Sequence, residues 1–119
     1  MNRIERFFDT ARQARLESEM PIKVGAVVVR GSRVIKTEYN TPGKPKFLGS
    51  WSRHAEVRAT LNINNVGAQI YIYREHGLYR SPMLARPCNH CQEWLKFVGI
   101  ERAIYSIPEY PYFEVMEIK

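Results

Sequence analysis

The sequence predicts a three-layer α/β fold with a mixed central sheet of four to five strands and helices on both faces. Three observations support this prediction. Strand and helix patterns alternate along the chain in the order α-β-β-α-β-α-β. The first two strands are separated only by the turn Gly31-Ser32, which is typical of an antiparallel hairpin. The chain has 119 residues, of which 45% are hydrophobic, so residues 1–119 are expected to form a single domain around one core.

The N-terminal third is predicted to form a helix followed by the hairpin. Apolar residues recur at helical spacing over residues 2–18, and Pro21 limits this helix. A Val-rich run over residues 24–30 and the segment 33–39 provide the two hairpin strands. Residues 40–52 contain two Pro and two Gly and are expected to form a loop.

The rest of the chain alternates helix and strand. Gly67 and Gly99 are placed to end the two remaining helices. The predicted order is helix 53–65, strand 69–74, loop 75–86, helix 88–98, strand 101–107 and a final short strand over 113–118.

The chain is basic, with a formal net charge of +6. A basic balance favours an anionic partner such as a nucleotide phosphate or a nucleic acid. A solvated surface rich in Arg would explain the same balance. Charge alone does not distinguish a mononucleotide from a polynucleotide.

The sequence also argues against a membrane partner. No apolar run approaches the roughly 20 residues that a membrane span requires. The N-terminal residues lack the continuous apolar core of a secretory signal. We therefore expect an intracellular, cytoplasmic protein.

Two short motifs contain the residues best suited to chemistry. His54-Ala55-Glu56 is followed, 34 residues after the histidine, by Cys88-Asn89-His90-Cys91, and each motif begins a predicted helix. Zinc takes nitrogen and sulfur ligands in a tetrahedron, and two thiolates one helical turn apart can share an ion with a histidine from a second helix. His54, Cys88 and Cys91 are therefore predicted to bind Zn²⁺ and to leave a fourth position open, as in catalytic sites.

Glu56 is placed to move protons at this site. The open position would take a water molecule, whose pKa zinc lowers from about 15.7 toward about 7. Glu56 lies two residues after His54, so its side chain leaves the helix in a different direction and stands beside the metal. A carboxylate there can accept a proton from water and pass it to a ring nitrogen and then to a leaving amine. Glu56 is therefore the predicted catalytic residue of a hydrolytic deaminase.

The two motifs, with Pro87 before the first cysteine, resemble the H-x-E…P-C-x-x-C signature of zinc-dependent nucleobase deaminases. Residues 24–28 are similar to the first core strand of cytidine and deoxycytidylate deaminases, and residues 95–106 to the helix and strand after their second motif. The resemblance covers roughly residues 22–107. It implies a cytidine-deaminase-like fold that holds one Zn²⁺ and converts a cytosine base to uracil with release of ammonia. The connection over residues 75–86 is longer than in deoxycytidylate deaminases, which leaves the substrate open.

Five residues are predicted to contact the substrate. The resemblance implies that Asn40, after the second strand, contacts the sugar and that Ala55 of the first motif lies in the pocket. Trp51 and Arg53 belong to a loop in which basic and aromatic residues alternate, which suits a phosphate and a stacked base. Arg86 in the second loop would add charge to the pocket rim. The aromatic residues of the first loop could instead pack on the domain.

Other interpretations of the motif residues stay open. A lone histidine such as His54 is more often a core or helix-cap residue, and Cys88 with Cys91 could form a thioredoxin-like redox pair. His76 in the second loop could reach the metal, which would close the site as Cys₂His₂ and abolish catalysis. His90, between the cysteines, is expected to face the surface or a phosphate.

Several substrates and partners also stay open. A (deoxy)cytidine nucleotide fits the resemblance, whereas cytosine in single-stranded DNA or RNA fits the basic, aromatic loop. An adenine base is not excluded, because adenosine deaminases acting on transfer RNA share the signature. A non-catalytic zinc module that binds nucleic acid or a protein is the alternative from another class. The aromatic segment 110–113 could cover the core or mediate self-association into a homo-oligomer.

Overall fold

Helices and strands alternate through the part of the chain that the computed structural model describes, residues 2–41, 54–78 and 80–118. The elements are α1 (Arg3–Ala14), β1 (Ile22–Arg30), β2 (Arg33–Tyr39), α2 (Ala55–Thr60), β3 (Gln69–His76), β4 (Pro82–Met83), α3 (Asn89–Val98), β5 (Arg102–Ser106) and β6 (Phe113–Glu117). A short 3₁₀ turn, Arg15–Glu17, extends α1. The order agrees with the sequence prediction, and β4 is an addition to it.

The strands of the described residues form one mixed sheet in the order β2-β1-β3-β5-β6, and β4 pairs with β3 beside this path. β1 runs antiparallel to both β2 and β3. β3 and β5 run parallel because α3 connects them as a crossover, and β6 returns antiparallel to β5. The predicted mixed sheet is confirmed, with a sixth, two-residue strand beyond the four to five expected.

Helices cover both faces of this sheet. Successive side chains of a strand point to opposite faces, so the Ile–Tyr alternation of β3 divides its residues between two layers. Tyr71 packs with Phe7 of α1 and Val27 on one face. Ile70 packs with Leu95 of α3 on the other face, which α2 also covers. No helix within residues 2–41, 54–78 and 80–118 is long and apolar enough to cross a membrane.

The backbone of α1 lies directly against β1 at Gly25. A Cβ atom at this position would overlap the backbone carbonyl oxygen of Ala11 and approach the backbone nitrogen of Arg15 to 2.8 Å. The missing side chain at Gly25 therefore sets how closely the α1 layer sits on the sheet.

A buried charged group joins the end of α1 to β3. Arg15 Nε lies 2.6 Å from Glu75 Oε2, and the hydroxyl of Tyr73 donates to Glu75 Oε1 at 3.0 Å. Burial, followed by the hydrogen bond and charge of Glu75, raises the pKa of Tyr73 to about 12, so this hydroxyl stays a proton donor at neutral pH. The carboxylate is thus held from two layers at once.

The helix predicted over residues 53–65 is shorter in the structure, and residue 53 lies outside the described residues. α2 ends at Thr60, whose hydroxyl donates back to the carbonyl of Glu56 at 2.9 Å. Asn65 Nδ2 then donates to the carbonyl of Thr60 at 2.8 Å. The Asn65 amide thus takes up a carbonyl group that another turn of helix would use, and the predicted helix is wrong at its C-terminal end.

The loop predicted over residues 75–86 is partly sheet. β3 continues to His76 by pairing with the start of β1, and β4 returns beside it. The hydroxyl of Ser106 in β5 donates to the carbonyl of Met83 at 2.7 Å and accepts from the backbone nitrogen of Arg74 at 3.0 Å. The connection over residues 75–86 is therefore a folded excursion from the sheet, and hydrogen bonds to Ser106 fix its two ends to β5.

Candidate active site

A cavity of about 390 Å³ opens where α2 and α3 begin. Both sequence motifs contribute to its wall, and β1 and β3 supply the floor. The residues that line it are Met20, Pro21, Ile22, Val24, Asn40, His54, Ala55, Glu56, Ile72, Arg74, Ala85, Arg86 and Cys88. The two motifs are therefore brought together at one concave site, although the chain separates them by a helix and two strands.

Three candidate metal ligands meet at the edge of this cavity. The ligand atoms of His54, Cys88 and Cys91 all lie within 4.8 Å of one another, and His54 Nδ1 is 3.0 Å from Cys91 Sγ. Zn–S bonds of about 2.3 Å and Zn–N bonds of about 2.0 Å in a tetrahedron require ligand atoms roughly 3.5–3.8 Å apart. The three ligand atoms are thus near enough to share one Zn²⁺ after small side-chain movements, and their donor types suit this ion.

The start of each helix places these ligands. His54 precedes α2, and its side chain makes no capping hydrogen bond, so the imidazole is free to face the cysteines. Cys88 precedes α3 and accepts a hydrogen bond from the backbone nitrogen of Cys91 at 3.5 Å. Because His54 is exposed and leaves its helix uncapped, the interpretation as a core or capping histidine is not supported.

Cys91 is the buried member of the group. Burial raises the pKa of its thiol, and the charge of Glu56 and the neighbouring Cys88 raise it further. Zinc binds thiolates, so the metal must displace this proton on binding. A histidine nitrogen so close to the sulfur is expected for a metal ligand set and has no part in a simple dithiol redox pair.

Glu56 lies in the same cavity, two residues into the motif, and is buried. Burial raises the pKa of its carboxyl group, while a backbone hydrogen bond and the electrostatic influence of the nearby His54 and Arg74 lower it. A carboxyl group whose pKa is moved toward neutrality can both accept and return a proton. The structure thus places Glu56 beside the candidate ligands, as the motif spacing predicted.

Neither of the other histidines belongs to the ligand group. His76 lies at the end of β3, where its Nδ1 accepts from the backbone nitrogen of Leu78 at 3.1 Å. His90 is exposed on α3. Among the described residues, the atoms within 4.8 Å come from His54 and the two cysteines, so a closed Cys₂His₂ site through His76 is not what the chain forms.

The predicted substrate residues fall into two groups. Asn40, Ala55 and Arg86 line the cavity, with Ala55 buried in the wall and Arg86 exposed at the rim. Trp51 and Arg53 lie outside the described residues, as does the rest of the loop over 42–50. The predictions for those two residues stay predictions.

Asn40 has a structural task as well. Its Oδ1 accepts from the hydroxyl of Ser18 at 2.7 Å and from the backbone nitrogen of Val24 at 2.9 Å. Its Nδ2 donates to the carbonyl of Ile22 at 2.8 Å. One N–H of the amide remains for a ligand, so any contact with a sugar would be a single hydrogen bond.

Arg74 of β3 is a cavity residue that the sequence analysis missed. It shares a strand face with Ile70 and Ile72, and Ile72 also lines the cavity. The signal was a charged residue at the next position of an otherwise apolar face. Because the predicted strand ended at residue 74 and strand ends are commonly polar, a charged residue at this position gave no reason to expect a place in the cavity.

Three protein ligands that border a cavity are typical of a catalytic rather than a structural zinc centre. Comparison with known families agrees with this class. The family model described as the cytidine and deoxycytidylate deaminase zinc-binding region matches residues 1–107, and the chain belongs to this family. It is thus a deaminase of the zinc-dependent type. A search of curated protein sequences finds no significant match.

Solved structures show the same fold. Cytidine deaminase from Burkholderia pseudomallei has a TM-score of 0.70 at 17% identity, over 96% of this chain and 91% of its own. The deoxycytidine monophosphate (dCMP) deaminase of cyanophage S-TIM5 has a TM-score of 0.63 at 18% identity, over 87% and 82%. Cytidine deaminase from Mycobacterium leprae has a TM-score of 0.58 at 19% identity, over 93% and 91%. The architecture predicted from the sequence is therefore that of the cytidine deaminases.

Proposed function

We propose that this protein converts cytosine to uracil, with release of ammonia, in a (deoxy)cytidine nucleotide. The observation that supports this most strongly is the position of Glu56, a buried carboxyl group in a cavity that His54 and Cys88 also line. One side of the cavity is thus suited to a metal ion and a proton carrier. The other side, with Val24 and Ile72, offers apolar contact to a planar ring.

In the proposed hydrolysis, one set of residues binds the metal ion and another residue transfers protons. His54, Cys88 and Cys91 would hold the zinc ion, which when bound supplies a Lewis acid able to lower the pKa of water toward about 7. Glu56 accepts a proton from the attacking water and delivers protons to ring nitrogen N3 and to the departing amino group. The reaction balances as cytosine and water giving uracil and ammonia, with Glu56 returned to its starting form.

A mononucleotide is favoured as substrate by one structural relative, and the cavity offers a place for its phosphate. The dCMP deaminase of cyanophage S-TIM5, which shares the fold, has been solved in complex with dCMP and dUMP. Arg86 is exposed at the rim of the cavity of this chain, where a guanidinium can receive a phosphate leaving the pocket. A cytosine in a single strand would place phosphates at the same rim, so the two substrates must be separated by experiment.

The test is to incubate zinc-loaded protein with dCMP, cytidine and a cytosine-bearing single-stranded oligonucleotide, and to measure ammonia and the uracil product. We expect product from dCMP. Replacement Glu56→Gln removes the proton carrier and keeps the shape of the side chain, so kcat is expected to fall by about 10²–10⁴-fold while one zinc per chain is retained.

Glu93→Gln is the matched control, because Glu93 is an exposed carboxylate on α3 outside the cavity. It is expected to keep wild-type activity. Product from the oligonucleotide alone would move the substrate to a polynucleotide. Absence of product from all three substrates, with one zinc bound per chain, would overturn the proposed function in favour of an adenine substrate or a non-catalytic zinc module.

A further inference from the structure

Arg74 brings a positive charge into the floor of the cavity. The side chains of Ile70, Ile72 and Arg74 follow one another on the same face of β3, the face that α3 covers. Arg74 is paired in register with Val24 of β1, which also lines the cavity. Its side chain therefore leaves the sheet toward the gap between α2 and α3, where the motif residues lie.

The guanidinium of Arg74 has N–H groups that no acceptor among the described residues uses. Its Nη1 donates to the backbone carbonyl of Leu84 at 3.3 Å, and its Nε is buried without a hydrogen-bond partner. None of the salt bridges among residues 2–41, 54–78 and 80–118 includes it. A buried donor is costly unless a partner satisfies it, and a guanidinium offers five N–H groups. This part of the cavity is therefore built to receive acceptor atoms from a ligand.

Backbone contacts fix the position of Arg74, and this position determines where an acceptor atom of the ligand must lie. The backbone nitrogen of Arg74 donates to the hydroxyl of Ser106 in β5, and its Nη1 donates to the carbonyl of Leu84 after β4, so β5 and the folded excursion hold Arg74 from two sides. Val24 stands between Arg74 and Asn40, whose amide binds the backbone of Val24. With strands about 4.8 Å apart, Arg74 and Asn40 lie roughly 10 Å apart across the floor. A ligand spanning this floor meets the two side chains at opposite edges.

We infer that Arg74 is a specificity-determining residue that donates hydrogen bonds to the carbonyl oxygen at C2 of the cytosine ring. The inference rests on the proposed function, which places Glu56 at ring nitrogen N3. C2 is bonded to N3, so its oxygen is the acceptor next to the reacting edge of the ring. The phosphate of a nucleotide lies on the far side of the sugar, toward Arg86 at the rim.

A hydrogen bond from Arg74 to the C2 oxygen would distinguish cytosine from adenine. Adenine has a similar arrangement of amino group and ring nitrogen but carries only hydrogen at its C2. An adenine ring would leave the donors of Arg74 unsatisfied, which disfavours its binding. Arg74 would therefore make the cavity selective for a 2-oxopyrimidine.

The experiment compares Arg74→Met with wild type on cytidine and dCMP. Loss of the charge-assisted hydrogen bonds to the C2 oxygen is expected to raise KM for both substrates by about 10- to 100-fold, with a smaller change in kcat. Arg74→Lys retains one donor and the charge and should fall between the two. Arg102→Met is the matched control, because Arg102 pairs with Glu117 at the surface of β5 and β6, and it should leave KM unchanged.

A binding measurement separates this inference from the proposed function. Cytidine, dCMP and adenosine are titrated into zinc-loaded Glu56→Gln protein with and without Arg74→Met, or Arg74→Gln if the Met variant does not fold. Selective loss of cytidine affinity supports the inference even where turnover is absent. A change of less than about twofold in cytidine affinity, or a loss seen with dCMP and not with cytidine, overturns it. If the parent protein binds neither cytidine nor dCMP, the proposed function itself fails.

Discussion

At the scale of single residues, the buried carboxylate of Glu75 has partners from two elements of the fold. Glu75 belongs to β3, and its carboxylate is bound by Arg15 from the turn after α1 and by Tyr73. Burying an ionised carboxylate is tolerated only when such partners are present. The end of α1 is thus fixed to the sheet by charge as well as by apolar packing.

Arg15→Met should lower the free energy of unfolding by about 3–5 kcal/mol, because it leaves the buried carboxylate of Glu75 without its cation. Arg102→Met removes an ion pair whose side chains are 43% and 51% exposed, against 6% and 2% for Arg15 and Glu75. That control should cost about 0–1 kcal/mol. Urea denaturation at neutral pH measures both. Equal losses of unfolding free energy in the two variants would show that the buried ion pair stabilises the protein no more than the exposed one does.

The site residues differ in how far the sequence could predict them. His54, Glu56 and the two cysteines were predictable because ligand chemistry and helical spacing are local properties. Arg74 was not, because its place in the cavity depends on pairing with β1 and on the returning strand β4. The three hydrogen bonds of the Asn40 side chain were equally hidden, since their partners lie 16–22 residues away in sequence.

At the scale of elements, the contact between α1 and β1 is the one with least room. Gly25 lets the helix backbone lie against the strand, and any side chain there would push on the carbonyl oxygen of Ala11. A helix can move away from a sheet only by giving up packing, in this case of Phe7 against Tyr71. The position is thus a point where strand and helix constrain each other.

Gly25→Ala should therefore destabilise the protein by about 1–3 kcal/mol or more, through overpacking of backbone against backbone. Gly77→Ala is the control, since a Cβ at that position meets the flexible end of Lys23 at 3.2 Å. It should change stability little. Thermal unfolding of both variants provides the comparison. A Gly25→Ala protein as stable as wild type would show that α1 can shift without loss of packing.

Most elements were predictable because amphipathic period and turn residues mark them locally. The exceptions are elements that tertiary contacts decide. α2 stops at Thr60, where Trp94 Nε1 also donates to the threonine hydroxyl at 2.9 Å. Trp94 lies 34 residues away, so no local pattern announces this end. The two-residue strand β4 likewise exists through its bonds to β3 and to Ser106.

At the scale of the whole molecule, the candidate metal ligands join α2 and α3, two helices that also share apolar packing and the hydrogen bond from Trp94 to Thr60. His54 begins α2, and Cys88 and Cys91 begin α3, with two strands between them in sequence. An ion bound by all three would cross-link the layer that covers the cavity. Metal binding and folding stability should therefore be coupled.

Removal of zinc with a chelator should lower the melting temperature, and added zinc should restore it. With free zinc at a hundred times its dissociation constant, linkage contributes about 2.7 kcal/mol, or roughly 10 °C for a chain of this size. His54→Ala should lose the response, whereas His90→Ala, an exposed change on α3, should keep it. Calorimetry with matched metal analysis checks this. A melting temperature indifferent to zinc would mean that the three residues do not bind the ion in the folded state.

Because Ser106 fixes both ends of the folded excursion, the segment between them can vary in sequence and length. Arg74, Met83 and Ala85 are all tied to this one residue, so both ends of the excursion between them are fixed independently of its length. Residues inserted or deleted at its tip near Gly77 would add only a slowly rising closure entropy. Evolution, or a protein engineer, could therefore rebuild this excursion while the chemistry of the cavity is inherited unaltered.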